Sequence, residues 1–279
     1  MVSHDFDYYR PKSIQEAITL YQSLKLNGKK PKYYSGGTEI ITLGRLNMVY
    51  EDAMIDLKEI PEYRLLYSSE SRLIIGAGLS LVQIEESDPF PLLSKTVSEI
   101  ADHTARMKIT LGGNICAQIY YREAVLPFLL SDSLLMIAGI DGIKFFPIHE
   151  VFHQCLRLND GAFLIQVSTD QKFIDAPHVS IKRRRQWNTG YPLITVAALK
   201  VDNQVRVAIS GLCPYPFRAF EMEEWLNNDQ LSIEEKINEA LKHLPSPILN
   251  DMLGSSEYRL FVLKNTLMDI LVEFQEGVS

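Results

Sequence analysis

Two short stretches pair glycine with side chains that can hydrogen-bond an anion: Ser35-Gly36-Gly37-Thr38-Glu39-Ile40 and Thr110-Leu111-Gly112-Gly113-Asn114. Glycine takes positive φ and lets a ligand approach the main chain closely. Consecutive N–H groups in such a turn form a concave nest for an anion. Neither stretch is a G-x-G-x-x-G loop, because the second gap is missing. With 15 glycines in the chain, two tight turns are the plain reading. Two loops that each leave an extended run, each followed by a hydroxyl or amide (Thr38, Asn114), also fit a diphosphate, whose oxygens need donors from two directions. That reading expects a dinucleotide.

Other candidates are weaker. His149-Glu150-Val151-Phe152-His153 matches H-E-x-x-H, which on a helix would put both histidines on one face for zinc. The third ligand is missing, and the segment runs only from Pro147 to Asn159 and Gly161, so a short surface helix between strands is expected. His4, His103 and His243 have no Ser or Cys partner in a recognisable nucleophile setting. Cys116, Cys155 and Cys213 stand far apart without a C-x-x-C partner. They suit a reducing cytoplasm and cannot hold an iron–sulfur cluster or a four-thiolate zinc.

The elements that must position these loops follow from pattern. Ser13 with Glu16 opens a helix over 13–25 with a capping-box signature. A strand-like run at 31–34 stops at the first glycine pair; an amphipathic segment (39–48) and a strand (53–57) follow. Residues 63–80 read as two strands turning at Ser68-Ser69-Glu70-Ser71, and 80–87 and 91–106 read as helical. The second glycine pair comes next, then a buried helix leading to a strand (124–140) and a strand at 162–169. The polar run Asp170 to Pro177 is the expected domain boundary. Beyond it lie three strands, two of them joined at Asp202-Asn203, and two closing helices (232–244 and 255–276). The fold class expected is α+β in about two domains.

Composition narrows the function. With 46% hydrophobic and 23% charged residues, the chain is an ordinary globular one. Its net charge of −7 disfavours nucleic acid. The basic run Lys182-Arg183-Arg184-Arg185 reads as a solvated face or a local anion contact. No signal peptide is read at the amino terminus, and the apolar stretch Val125 to Ile140 is broken by Pro127 and Ser131-Asp132-Ser133. A cytoplasmic protein without a membrane span is expected.

The two glycine stretches also resemble a family. "SGGTEIITLGR" is similar to the A-G-G-T-D-L-L loop, and "TLGGNICA" to the T-I-G-G-N-[IL] loop, of the flavin subunits of molybdenum hydroxylases. The resemblance covers almost the whole chain. "FDYYRPKSIQEAITL" resembles the family's opening, "LIIGAGLSLVQIEES" its I-G-A strand, "ISGLCPYPFRAFEMEEWL" its G-x-A-P-x-P-x-R-A-x-x-A-E-x-x-L motif, and "SSEYRL" its S-x-E-Y-R.

This resemblance implies an FAD-binding domain of the vanillyl-alcohol-oxidase or PCMH type over 1–170, in subdomains of about 1–58 and 59–170. It implies a smaller α+β domain over 177–279, with a three-stranded antiparallel sheet and helices. Carried over at matched positions, Ser35, Gly36, Gly37, Thr38, Glu39 and Ile40 wrap the pyrophosphate and ribitol with backbone donors. Thr110, Gly112, Gly113 and Asn114 form the second loop. Glu123 takes the place of a family acid, Leu164 and Lys182 match flavin-contacting positions, and Tyr191 falls beside the isoalloxazine ring. Relatives continue the second loop with S-P-x-x-D, whereas this chain has Ile119-Tyr120-Tyr121-Arg122-Glu123. Tyr120 or Arg122 replaces the lost hydroxyl contact or faces a partner, or Arg122 is a solvated surface residue. "YREAV" is similar to a variant in purine-type members.

Three dispersed cysteines exclude the four-cysteine cluster that some relatives carry in this subunit. The implied function is electron transfer within a complex, with no catalytic residue in this chain. A large molybdopterin-binding subunit and a small 2Fe-2S subunit would be the partners, and NAD or another acceptor would take the electrons. FAD would be this chain's cofactor; molybdopterin and the clusters would reside in the partners. The alternatives are a self-sufficient flavin oxidase of the vanillyl-alcohol type and a cofactor-free interaction module.

Overall fold

The computed structural model describes residues 5–184 and 190–277; Arg185 of the basic run lies outside the described residues. The chain opens with β1 (Asp7–Tyr9), α1 (Ile14–Leu26), β2 (Pro31–Tyr34), α2 (Thr38–Arg45) and β3 (Ala53–Asp56). The strands form a parallel sheet ordered β1-β3-β2, so β3 is central. Every residue of β3 is buried, as a strand covered on both faces must be. Ser13 caps α1, its Oγ accepting from Glu16 N–H at 3.1 Å. Glu16 reaches past Ser13 to the N–H of Lys12 at 2.7 Å, so the reciprocal half of the expected capping box is replaced by a bond one residue further out.

Next come β4 (Leu66–Ser68), β5 (Arg72–Gly76), α3 (Leu81–Ser87), α4 (Pro91–Ser98), α5 (His103–Arg106), α6 (Leu111–Cys116) and α7 (Leu126–Leu130). β6 (Leu134–Gly139), β7 (Gly142–Pro147), α8 (Ile148–Val151), β8 (Phe152–His153), β9 (Cys155–Leu156) and β10 (Phe163–Asp170) complete this part. Five of these strands make an antiparallel sheet, β4-β5-β10-β6-β7. In the centre, β10 shifts register against β6 between Leu164 and Gln166. The carbonyl of Ile165 accepts the N–H of Ala77 at 2.8 Å, the local re-aiming that a bulge provides.

The H-E-x-x-H segment is not one helix. α8 makes a single turn, and burial of Phe152 and Leu156 draws the chain into the β8–β9 ribbon. His149 Nε2 lies 2.9 Å from Asp132 Oδ1, and His153 Nε2 lies 3.1 Å from Glu150 O. Among the described residues, no three His, Cys, Asp or Glu side chains gather as a metal site.

The last part has β11 (His178–Arg183), β12 (Ile194–Val201), β13 (Gln204–Ser210) and β14 (Phe217–Arg218) in an antiparallel sheet of that order. The three expected strands pair as read, with Asp202 and Asn203 at positive φ in the tight turn. The sheet is four-stranded because Phe217 and Arg218 add an edge to β13. A helix the pattern missed, α9 (Phe220–Leu226), precedes α10 (Ile233–Ala240) and α11 (Ser256–Glu276). β12 is buried on both faces. Ala197, Leu199 and Val201 join the core of the preceding part, while Ile194, Val196 and Ala198 pack under the closing helices.

Polar clasps fix this arrangement. Asp132 accepts from Arg206 at 2.7 Å and from Arg218 at 2.8 Å, and Arg218 also pairs with Glu223. Arg259, fully buried in α11, donates to the carbonyls of Leu193 and Gly211 and to Asp251. No helix among the described residues is long and apolar enough to cross a membrane.

Candidate functional site

β2 delivers the first glycine loop, and two steric facts fix its shape. Gly37 sits at φ 74°, where a Cβ would lie 2.3 Å from Tyr34 Oη. A Cβ on Gly36 would lie 1.9 Å from the carbonyl oxygen of Lys108, so only glycine lets the first loop touch the segment leading into the second. The contact is made: Ser35 Oγ and Thr110 Oγ1 lie 2.9 Å apart. The two loops converge although 75 positions separate those hydroxyls.

Beside this meeting point α2 begins without a side-chain cap. Its first intrahelical bond runs from Ile41 N–H to Gly37 O, so the N–H groups of Thr38, Glu39 and Ile40 precede the helical ladder. Backbone donors at the positive end of a helix dipole favour phosphate. The Glu39 carboxylate faces elsewhere, accepting the N–H of Gln118 at 3.0 Å.

A support lies behind the first loop that sequence reading missed. Lys58 Nζ donates to the carbonyl of Ser35 and to both oxygens of Asp56, each at 2.8 Å, and lies 4.6 Å over the Tyr34 ring. Asp56 is buried at the end of the central strand and also receives the hydroxyl of Tyr8. Burial, and then the Asp56 carboxylate, push the Tyr8 phenol up to about 12. The Asp-x-Lys spacing straight after a buried strand was the available signal.

The second loop works differently from the expected nest of amides. Leu111 N–H donates to Leu79 O, Gly112 N–H to Ala77 O, Gly113 N–H to Thr110 Oγ1 and Asn114 N–H to Thr110 O. These donors hold α6 against the strand end at Ala77, where a Cβ on Gly112 would lie 2.7 Å from that of Ala77. Asn114 Oδ1 accepts from Ala124 N–H at 3.1 Å. Thr110 is buried with its hydroxyl between Gly113 N–H and Ser35 Oγ, so the loop's surface is exposed Gly113 and half-exposed Asn114.

The segment after the second loop runs inward. Arg122 is 4% exposed, so it is not a solvated surface residue. Its guanidinium donates to Ala117 O at 3.1 Å and Gln154 O at 2.6 Å. Arg122 itself sits at φ 26°, a backbone shape uncommon outside glycine. Tyr120 stays half-exposed at the surface. Glu123 is buried and paired with Lys182 at 2.9 Å, and Thr195 Oγ1 donates to it at 2.6 Å. Burial lowers the Lys182 ammonium's pKa, and the Glu123 carboxylate only partly offsets this. Tyr191, 60% exposed, stacks on Tyr121 with centroids 4.7 Å apart and planes 12° apart. Leu164 is a core side chain at the bulge of β10.

The structure thus brings together Ser35, Gly36 and Thr110, and separately Glu123 and Lys182, while Leu164 is packed in the interior. The first group fits a diphosphate, because amides and hydroxyls converge there beside a glycine that admits no side chain. Nothing in either group is set as a general acid or base, since its charged members are already paired.

Known proteins share the sequence and the fold. A family model described as the FAD binding domain in molybdopterin dehydrogenase matches residues 4–169. The chain is 32% identical over 229 residues to the carbon monoxide dehydrogenase medium chain of Hydrogenophaga pseudoflava, covering 78% of each. It is 25% identical over 281 residues to the xanthine dehydrogenase FAD-binding subunit of Escherichia coli O157:H7, covering 94% of this chain and 95% of that one. Its fold superposes on the solved carbon monoxide dehydrogenase of Hydrogenophaga pseudoflava with a TM-score of 0.85 at 20% identity, over 96% of both chains. The chain belongs to the family of FAD-binding domains of molybdopterin dehydrogenases.

Proposed function

We propose that this chain is the FAD-binding electron-transfer subunit of a molybdenum hydroxylase of the xanthine dehydrogenase type. It works with a large molybdopterin-binding subunit and a small 2Fe-2S subunit, in the cytoplasm, with NAD or another acceptor downstream. The observation that carries the reading is the convergence of Ser35 and Thr110 beside the uncapped start of α2. Bound FAD supplies a redox centre that can exchange electrons singly or in pairs, joining one-electron clusters to a two-electron acceptor.

The residues have distinct tasks. The N–H groups of Gly36, Gly37, Thr38, Glu39 and Ile40 hold the diphosphate from one side, and the hydroxyls of Ser35 and Thr110 and the amide of Asn114 hold it from the other. Lys58 keeps the first loop in place through the Ser35 carbonyl. Glu123 and Lys182, a fixed, neutral-sum pair, and Tyr191 would contact the flavin. Leu164 contributes through the main chain at its bulge. The FAD-binding unit is assigned to 1–170, with subdomains of about 1–58 and 59–170, and the smaller unit to 177–279. The "YREAV" segment supports a purine as the substrate of the large partner.

The test is direct. Flavin-free protein titrated with FAD should quench flavin fluorescence saturably, and Ser35→Ala with Thr110→Val should weaken binding at least tenfold, about 1.4 kcal/mol. Folded protein that leaves FAD fluorescence unchanged, alone and with its partner subunits, would overturn the reading. Xanthine-dependent NAD reduction by the assembled complex tests the substrate and the acceptor.

A further inference from the structure

We infer that Cys116 and Cys155 are a redox pair, able to join in a reversible disulfide beside the Arg122 guanidinium. Nothing in the proposed electron-transfer role uses either thiol. Cys116 ends α6, directly after the second glycine loop, and Cys155 opens β9, against which α6 packs. Both carry free thiols, with Cys155 at the surface, whereas Cys116 shows other atoms to solvent and keeps its sulfur enclosed.

Arg122 joins the two backbones. One arm of its planar fork donates to Ala117 O and the other to Gln154 O, the residues next to Cys116 and next to Cys155. Both anchors are held in uncommon backbone shapes, with Arg122 at φ 26° and Gln154 at φ 66°. One guanidinium therefore touches the backbone beside each cysteine, and a disulfide between them needs a Cα separation of about 4.4–6.8 Å. The third guanidinium donor, Arg122 Nε, is buried without a hydrogen-bond partner. The guanidinium charge acts on both thiols, and a neighbouring cation favours thiolate over thiol. Burial pushes the Cys116 thiol up to about 12, with the Arg122 charge offsetting part of the rise.

The exchange begins at Cys155. With oxidised glutathione as oxidant, the Cys155 thiolate attacks one glutathione sulfur and releases the other as a thiolate. Cys116, losing its proton to solvent, attacks the Cys155 sulfur of the mixed disulfide and releases the second glutathione. The pair loses two electrons and two protons, and oxidised glutathione becomes two glutathione thiols. The new bond would tie the end of the second loop's helix to the β8–β9 ribbon. Reduced glutathione reverses it.

The full chain should be equilibrated with oxidised glutathione, alkylated, digested and mapped by mass spectrometry. Two of the three cysteines should be lost to alkylation, with Cys116 and Cys155 recovered in one cross-linked peptide. Cys213, buried with its Sγ against Pro245 O, should alkylate only after unfolding and serves as the internal reference. Cys155→Ser, at an exposed site, should abolish the cross-linked peptide without changing the melting curve. Recovery of Cys116 and Cys155 as free thiols, as separate glutathione adducts or as bonds between two chains would overturn the inference. If Cys116→Ser does not fold, the wild-type map and Cys155→Ser decide the question alone.

Discussion

Lys182 and Glu123 face each other at 2.9 Å with side chains only 2% and 5% exposed, so β11 is pinned by charge to the turn that follows the second glycine loop. Removing one member of such a pair leaves the other charged and uncompensated, at a cost of about 3–5 kcal/mol. Lys182→Met should therefore lower the urea midpoint clearly and weaken flavin retention. Adding Glu123→Gln should recover much of the stability but not the flavin. Equal midpoints for wild type and Lys182→Met would refute the structural half of this statement.

The glycines of the two loops should respond differently to alanine. At Gly36 the new methyl meets the backbone oxygen of Lys108, which cannot move without separating the loops. Gly36→Ala should cost about 1–3 kcal/mol by overpacking and lower FAD affinity at least tenfold, about 1.4 kcal/mol. A methyl on exposed Gly113 meets only the Thr110 hydroxyl, at 2.8 Å, and alanine suits a helix better than glycine. Gly113→Ala should keep stability within about 1 kcal/mol while reducing FAD affinity. Paired melting and fluorescence titrations separate the two.

Acid should loosen the clasp at Asp132. Burial pushes this carboxyl up, but hydrogen bonds from His149 and Arg206 and the charge of Arg218 outweigh it and hold the pKa well below the usual range. A depressed carboxylate pKa adds stability above the unfolded value of about 3.9 and loses it as pH falls toward the folded value. With a side chain 43% exposed, solvent screening limits the effect to about 1 kcal/mol. Asp132→Asn should thus melt lower than wild type at pH 7, and the gap should narrow below pH 4. A gap that widened in acid would contradict the assignment.

Arg259 should be the most sensitive position of the closing helix. Arg259→Leu would strand the carbonyls of Leu193 and Gly211 and remove the ion pair of Asp251, which keeps the N–H groups of Leu253 and Gly254. Each unsatisfied buried polar group costs about 1–3 kcal/mol, so the variant should unfold or melt many degrees lower. Arg259→Lys should recover only part, because an ammonium lacks the fork that reaches both carbonyls. Unchanged melting of either variant would show that the bonds are dispensable.

Period and turn chemistry made most elements legible. Apolar runs bounded by turn residues marked β5, β10 and β12, Asp202-Asn203 marked the hairpin, and Ser13 marked the start of α1. Pattern could not reveal β14, whose two residues pair only because β13 has a free edge. It missed α9, which begins after the irregular proline-rich run at 214–216. In the site, glycine type and spacing pointed to both loops, yet not to their division of labour. The second loop's amides face acceptors at Ala77 and Leu79, more than 30 positions upstream, and no local spacing encodes that. Lys58 and Asp56 escaped for the same reason: a lysine after a strand looks solvent-bound until its partner carbonyl at Ser35 is placed.

The central position of β3 also orders the birth of the protein. β1 and β2 have no ladder with each other and can pair only through residues 53–56. On a ribosome adding about 5–20 residues per second, the amino-terminal segment stays unzipped until that stretch leaves the exit tunnel. Lys58 emerges two residues after Asp56, so the scaffold and the brace of the first loop become available almost together. Nascent chains stalled before Ala53 should be open to protease throughout, whereas those that expose Lys58 can close.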